Sequence, residues 1–211
     1  MPAAPTRPAL RARYDRRRRD VVDAAAHVFA ERGYHATSVA ALLEATGLTA
    51  GALYHYVEGR DELLVAICDE LLDPLLRQAR EIVAGEAAPE DQLRELIHVW
   101  LEHIELHLDH MRVFQQERHV IEHDPRWQQI RAKRLAFERI LDELLARAET
   151  SGALAIPDRR LALLALLGMV NYTPTWFRRG GRLPAAQVAD GYYELLTNAY
   201  RPDQPTASAE T

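Results

Sequence analysis

The chain has 211 residues, of which 48% are hydrophobic and 27% charged, and this composition excludes an extensively disordered polypeptide. Its single cysteine excludes an intrachain disulfide framework, and the longest strongly apolar run, 161–170, is far shorter than the ~20 residues of a membrane span, so we expect a soluble cytoplasmic protein with no membrane partner. The first 60 residues contain nine arginines against six acids, and this basic quarter, followed by an acidic remainder, favours either a polyanion-binding segment or a solvated arginine-rich tail.

The N-terminal segment is predicted to divide into an arm and a helix. Residues 1–14 contain prolines at positions 2, 5 and 8, and this composition favours a flexible basic arm. From Arg16 onward the apolar residues lie on one face at the 3.6-residue helical spacing. The sequence therefore predicts a first helix that ends at Gly33, where a glycine C-cap is expected.

Two short helices with a tight turn between them are predicted next. Ser38 is a good N-cap residue for a helix that stops at Gly47, and Thr49 is a good N-cap for the helix that follows. The glycine allows a positive φ angle in the turn, and the immediate cap leaves the start of the third helix pointing outward. This is the anatomy of a helix-turn-helix, although similar turns also occur in all-α proteins that bind no DNA.

Beyond Gly59 the whole sequence is helical in pattern. A fourth helix begins there, and glycines and prolines separate the later ones. Their predicted ranges are 74–84, 90–108, 111–121, 125–150, 158–178 and 185–200. The fold class is therefore all-α with about nine helices, arranged as a helix-turn-helix domain at 15–60, a larger helical domain at 61–200 and a disordered tail at 201–211.

Four spaced groups of residues give the N-terminal part a specific resemblance. They are VVDAAAHVFAERGY at 21–34, TSV at 37–39, TGLTAGALYHYV at 46–57 and RDELL at 60–64. Together they resemble the N-terminal domain of the TetR family of transcriptional regulators. Two positions depart from the family pattern: Val57 stands where phenylalanine is usual, and Arg60 stands where lysine is usual. Val57 keeps an apolar side chain, and Arg60 keeps a positive charge. The resemblance implies a DNA-binding domain followed by a helical ligand-binding and dimerisation domain.

The resemblance also implies which side chains meet DNA. The start of the third helix would approach base edges, where its small side chains favour methyl contacts and the reading of DNA shape. Tyr54 and Tyr56 match phosphate-contacting tyrosines, although Tyr54 could instead pack half-buried under the fourth helix. His55 would contact a base or phosphate, and Ser38 and Arg60 would hold the backbone from neighbouring helix starts. The full candidate set is Ser38, Thr49, Ala50, Gly51, Ala52, Tyr54, His55, Tyr56 and Arg60. The arginines of the arm would make nonspecific phosphate contacts or, less favoured, enter a minor groove.

The family resemblance implies a homodimer that binds a near-palindromic site on double-stranded DNA. The segment 161–170 is apolar nearly all round, as expected of a helix buried on both sides. With Val188, Tyr192, Leu195 and Leu196 of the last helix it could form a four-helix dimer interface, or these residues could belong to an intramolecular core.

A second, looser resemblance concerns the effector. Aromatic residues stand beside three arginines and two glycines in the segment 171–184. This segment and the stretch 114–118 are similar to TetR-family repressors of fatty-acid and sterol breakdown that respond to acyl-CoA thioesters. The candidate ligand-binding residues are Phe114, Trp176, Phe177, Arg178 and Arg179. We therefore expect a repressor released by a small hydrophobic effector, with acyl-CoA the favoured class; a drug-like or aromatic ligand, or an architectural DNA-binding protein without an effector, are the alternatives.

Metal binding and catalysis are the remaining functions to weigh. Two histidine groups have a helical spacing that could hold a metal: His103, His107 and His110, and then His119 and His123. Acids interleave the first group, which fits a solvated polar face equally well, so we predict no metal and no cofactor. Catalytic motifs such as a nucleophile elbow or HExxH do not occur, and Cys68 lies among apolar residues where a buried role is expected. We therefore expect a regulator and not an enzyme.

Overall fold

The described residues of the computed structural model are 8–198 without 153, 155 and 157, and they form ten α-helices, one 3₁₀ turn and no strand. This confirms the all-α class. The helices are α1 (Pro8–Arg32), α2 (Val39–Thr46), α3 (Ala50–Tyr56), α4 (Arg60–Ala84), α5 (Pro89–Leu106), α6 (Leu108–Gln116), α7 (Arg118–His123), α8 (Gln128–Thr150), α9 (Arg159–Trp176) and α10 (Ala185–Asn198), and the 3₁₀ turn is Pro125–Trp127.

Helix α1 is longer than the sequence predicted. It begins at Pro8, so the expected flexible arm is wrong for residues 8–14, which are helical. Proline at the first helical position loses no hydrogen bond, because the N–H it lacks would have no partner inside the helix. The alanine, leucine and arginines that follow are good helix formers. The rest of the predicted arm, 1–7, and the predicted tail, 201–211, lie outside the described residues.

Two predicted breaks also fall elsewhere. Helix α4 continues through Pro74, where the sequence predicted a new helix, and leucines on both sides of the proline, including Leu71 and Leu75, are buried. Burying each leucine side chain contributes ~1.5–3 kcal/mol to stability, and this offsets the ~3 kcal/mol that a proline inside a helix costs. Conversely, the predicted helix 90–108 ends at Leu106, and the predicted helix 111–121 is interrupted at Glu117.

The chain divides into two compact units. The first comprises Met1–Pro74 with His107–Arg134, and the second comprises Leu75–Leu106 with Leu135–Thr211. In the first unit α1 packs against α2, α3 and α6, and its side chains Val22, Ala26 and Phe29 are fully buried. This packing places the short helices α2 and α3 on one long support.

In the second unit α10 packs against α5 and α9. Trp100 of α5 meets Phe137 of α8 edge to face, with ring centroids 4.8 Å apart. At the surface Asp190 of α10 accepts hydrogen bonds from Arg94 at 2.6 Å and from His98 at 3.0 Å. The Arg94 hydrogen bond and, next, that of His98 lower the pKa of Asp190 below its usual value.

Candidate nucleic-acid interface and effector segment

The two predicted caps hold the helix-turn-helix. Ser38 Oγ accepts a hydrogen bond from the Ala41 N–H at 3.2 Å, and Thr49 Oγ1 accepts one from the Ala52 N–H at 3.4 Å. Between the helices Gly47 has φ of 64°, the left-handed conformation that a glycine adopts without strain. These features confirm the predicted starts of α2 and α3, and each cap contributes ~1 kcal/mol to helix stability.

Helix α3 has one buried face and one exposed face. Leu53 is 3% exposed and Val57 1%, so both lie in the core, in agreement with the apolar role expected of Val57. Tyr54 is 47% exposed, so about half of its surface is open to solvent and available for a contact with DNA. The other candidate side chains of α3 range from exposed to half-buried: Ala50, Gly51 and His55 are exposed, whereas Ala52 and Tyr56 are half-buried. Small residues therefore occupy the open start of the helix.

Arg60 is half-buried at the start of α4 and holds the connection between α1 and α2. Its Nη1 donates to the carbonyl oxygens of Thr37 at 2.9 Å, His35 at 3.3 Å and Tyr34 at 3.4 Å. The guanidinium also lies 4.9 Å from the centroid of the Tyr34 ring. Sequence reasoning assigned Arg60 a phosphate contact and missed this structural role.

Tyr34 completes the same junction, since its hydroxyl donates to the Asp61 carboxylate. Burial, and next this hydrogen bond, raise the pKa of Tyr34 to about 12. Tyr34 is 4% exposed and also meets Phe29 edge to face at 5.3 Å. Tyr34 directly follows Gly33 at the end of α1, and this position was the feature of the sequence that could have indicated its structural role.

The arginine-rich start of α1 is fixed beside α3 by Tyr14. The Tyr14 hydroxyl donates to the His55 carbonyl oxygen at 3.2 Å, and its ring centroid lies 5.2 Å from that of Tyr56. Burial raises the pKa of Tyr14 above its usual value. An open groove of about 590 Å³ adjoins this contact, and its lining includes Arg13, Arg16 and Arg17. The contact depends on tertiary packing across 41 residues of sequence, so it leaves no local sign in the amino-acid sequence.

The predicted effector segment ends α9. Phe177 is buried, whereas Trp176, Arg178 and Arg179 are exposed. Arg179 donates from Nε to the Glu105 carbonyl oxygen at 2.6 Å and from Nη2 to the Leu106 carbonyl oxygen at 2.7 Å, so it caps the C-terminus of α5. A cation is favoured there by the unpaired carbonyls and the helix dipole.

The fifth candidate ligand residue, Phe114, is a buried side chain of α6 in the first unit, and its ligand role stays a prediction. Four candidate residues of the segment, 176–179, are consecutive in the second unit. In that unit α9 and α10 also carry exposed large apolar side chains: Leu161, Leu164, Tyr172, Trp176 and Leu195.

The single cysteine and two of the histidines have buried side chains. Cys68 is fully buried, and burial raises the pKa of its thiol, which confirms the expected apolar role. His103 and His110 are 8% and 3% exposed, so a solvated polar face is wrong for them, and they lie on different helices.

Among the described helices, none has both the length and the apolar character needed to cross a membrane.

Family comparisons identify both parts of the chain. Residues 21–67 match the family described as bacterial regulatory proteins of the tetR type, and residues 86–200 match the tetracyclin repressor-like C-terminal domain. This chain belongs to the TetR family. The TetR-family resemblance of the N-terminal sequence is thereby confirmed and extended to the C-terminal part. The expectation of a DNA-binding transcriptional regulator that is not an enzyme is confirmed by the same membership and by the relatives below.

Among its TetR-family relatives, the transcriptional repressor KstR2 of Mycobacterium tuberculosis is 28% identical over 182 residues, which cover 85% of this chain and 90% of KstR2. The structure of that ketosteroid transcriptional regulator superposes with a TM-score of 0.82 at 27% identity, covering 89% of this chain and 96% of the other. The fatty acid metabolism regulator protein of Bacillus subtilis is 24% identical over 192 residues, covering 84% and 92%. AibR, solved with isovaleryl coenzyme A and operator DNA, gives a TM-score of 0.74 at 26% identity, covering 86% and 98%.

Proposed function

We propose that this TetR-family regulator is a homodimeric repressor that binds a near-palindromic operator through α3 and is released by an acyl-CoA thioester. The observation that carries the DNA-binding half is the exposed, Thr49-capped start of α3. Its free N–H groups and small side chains allow close approach to the major groove. The relative KstR2, which is named a repressor, supports the direction of regulation.

On the operator, we assign base contacts to the small side chains at the start of α3 and to His55. Tyr54, whose side chain is 47% exposed, donates to a phosphate oxygen, and Ser38 contacts the backbone from the start of α2. The proposed set is Ser38, Thr49, Ala50, Gly51, Ala52, Tyr54, His55 and Tyr56, with Arg60 positioning the connection between α1 and α2.

Fluorescence anisotropy with an operator selected from genomic fragments tests this assignment. Tyr54→Phe should weaken binding to all sequences equally and leave the salt dependence unchanged, because the phenol is uncharged. His55→Ala should change the preferred sequence. Uniform weakening by both variants would contradict a base contact for His55.

The dimer is proposed to form through α9 and α10. Leu161, Leu164 and Tyr172 of α9 and Leu195 of α10 are between 49% and 66% exposed, whereas Leu163 and Leu166 of α9 are buried. Leu161, Leu164 and Tyr172 recur on one face of α9 at helical spacing, and an exposed apolar face of this kind marks an interaction site. Two copies that pair these helices across a two-fold axis form a four-helix bundle, which is a common isologous arrangement.

The acyl-CoA proposal rests on the exposed side chains at the end of α9 and directly after it. Trp176 is 40% exposed, and Arg178 and Arg182 are exposed cations in the same short stretch. Guanidinium groups match the phosphate oxygens of coenzyme A in geometry and charge, and an indole can stack on adenine. Arg179 donates to α5 through both Nε and Nη2, whereas the hydrogen bonds of Arg178 to the Phe177 and Thr175 carbonyl oxygens come from Nη1 alone. Arg178 and Arg182 are therefore the proposed phosphate ligands. The bound isovaleryl coenzyme A of AibR supports the ligand class.

Release requires that the thioester bind the DNA-incompetent conformation more tightly than the DNA-competent one. Calorimetry should show a long-chain acyl-CoA binding at least tenfold more tightly than the free acid, and the double variant R178A/R182A should remove most of this difference. The matched control is Arg160→Ala, an exposed arginine at the opposite end of α9. Equal affinity for acid and thioester would favour a drug-like or aromatic ligand, and operator binding that no ligand changes would favour an architectural protein.

A further inference from the structure

A buried imidazole nitrogen of α6 faces two carboxylates from other helices. His110 is 3% exposed, and its Nε2 has no hydrogen-bond partner among the described residues. This atom lies 3.5 Å from Asp23 Oδ1 of α1 and 3.6 Å from Glu70 Oε2 of α4. Hydrogen bonds from nitrogen to oxygen are about 2.7–3.2 Å long, so both contacts are too long to satisfy the nitrogen. A buried polar atom without a partner requires an explanation.

The distances between the imidazole and the two carboxylates fit the binding of one cation by all three side chains. The three ligand atoms, one each from Asp23, Glu70 and His110, all lie within 4.8 Å of one another. Zinc ligands bind at about 2.0–2.2 Å, and a tetrahedral angle then separates two ligand atoms by about 3.3–3.6 Å. Both distances from His110 Nε2 therefore match two ligands of one ion. Two carboxylates also neutralise a doubly charged cation, so the bound site would bury little net charge.

The surroundings give a cation access to the site. The Asp23 side chain is 62% exposed and that of Glu70 is 21% exposed, so water can reach the carboxylates and supply a further ligand. Glu70 also lines an open groove of about 380 Å³ along α4 whose other charged members are Arg18, Glu62, Asp69 and Asp73. Lys133 pairs with Asp69 and Asp73 at 2.7 Å and Arg18 with Glu62 at 3.6 Å, so these cations are engaged by other acids of the groove.

We propose that Asp23, Glu70 and His110 form a binding site for a divalent transition-metal ion, with zinc as the best-matched member of that class. One imidazole and two carboxylates are a zinc donor set, and they leave a fourth position for water. The ion joins α1, α4 and α6 within the first unit. Metal occupancy therefore stabilises the helix α1 that supports the helix-turn-helix. This site is independent of the proposed effector.

Metal titration of the tag-free full-length protein, stripped with a chelator, tests the site. Zinc should bind with one equivalent per chain, and cobalt should give the visible absorption of tetrahedral coordination. At a zinc concentration one hundred times the Kd, the melting temperature should rise by roughly 5–10 °C. Asp23→Asn and Glu70→Gln, which keep side-chain volume, should each lose the absorption band and the shift.

Two control variants test whether the metal binds instead to histidines or carboxylates outside the proposed site. His123→Gln alters the exposed histidine pair with His119, and Asp109→Asn alters the carboxylate that faces His27. Both controls should bind zinc and cobalt as the wild type does. Failure of the wild type to bind one equivalent overturns the proposal. Cobalt absorption that survives in both Asp23→Asn and Glu70→Gln overturns it as well.

Discussion

Replacing Arg60 with alanine should destabilise the protein by removing the anchor of the connection between α1 and α2. Only the Nη1 contact to the Thr37 carbonyl oxygen, at 2.9 Å, has the length of a strong hydrogen bond, since those to His35 and Tyr34 are 3.3 and 3.4 Å. One charge-assisted hydrogen bond contributes about 1.5–3 kcal/mol, and stacking on the Tyr34 ring adds about 0.5–1 kcal/mol. The expected loss is therefore about 2–4 kcal/mol.

Urea unfolding followed by circular dichroism measures this loss. Arg60→Lys should give an intermediate value, because an ammonium keeps the charge but lacks the planar fork that reaches several carbonyls. The matched control is Arg32→Ala, an exposed arginine at the end of α1, which should change the free energy of unfolding by less than about 0.5 kcal/mol.

A salt titration of operator binding, made well below the melting temperature, separates anchoring from a phosphate contact. If Arg60 acts by anchoring, Arg60→Ala lowers affinity but leaves the slope of log K against log salt unchanged. A neutralised phosphate would instead make that slope shallower by about 0.9. Unchanged stability together with the shallower slope would refute the anchoring argument and restore the direct DNA contact that the family resemblance implies.

Three further predictions concern the core, the dimer and pH. Leu53→Ala should lower the free energy of unfolding by about 2–5 kcal/mol in urea, because the side chain is 3% exposed; a stable variant would contradict the orientation of α3. Leu195→Glu should yield monomers in light scattering, whereas a persistent dimer would place the interface elsewhere. Because folding raises the pKa of Tyr34 from 10.0 to about 12, its contribution is fully present below pH 10 and lost as pH rises towards 12. Tyr34→Phe should therefore show a shallower fall in melting temperature over that range, and an identical fall would refute the assignment.

Local chemistry made much of the helix-turn-helix predictable. Ser38, Thr49 and Gly47 are recognised by side-chain type and act on backbone groups within three residues, so the sequence alone identifies both helix starts and the turn. Such features depend little on distant parts of the chain.

Long-range packing determined what the sequence did not reveal. The helical start of α1 meets α3 through Tyr14, whose partner His55 is 41 residues away. The grouping of His110 with Asp23 and Glu70 likewise requires three helices to meet. Arg60 was assigned to DNA by the family resemblance, whereas the carbonyl oxygens that it contacts are set by the course of the preceding turn.

If the start of α3 reads the operator, as proposed, its small residues allow operator preference to change independently of folding. Ala50 and Gly51 are exposed, and a Cβ added at Gly51 would meet no atom within 4 Å. Glycine in a helix costs about 1 kcal/mol relative to alanine, so a substitution at Gly51 should preserve or raise stability while it alters the surface offered to DNA. Variants at these positions are therefore an accessible evolutionary route by which duplicated copies of this regulator acquire separate operators, and a combinatorial library there should yield mostly folded proteins with divergent targets.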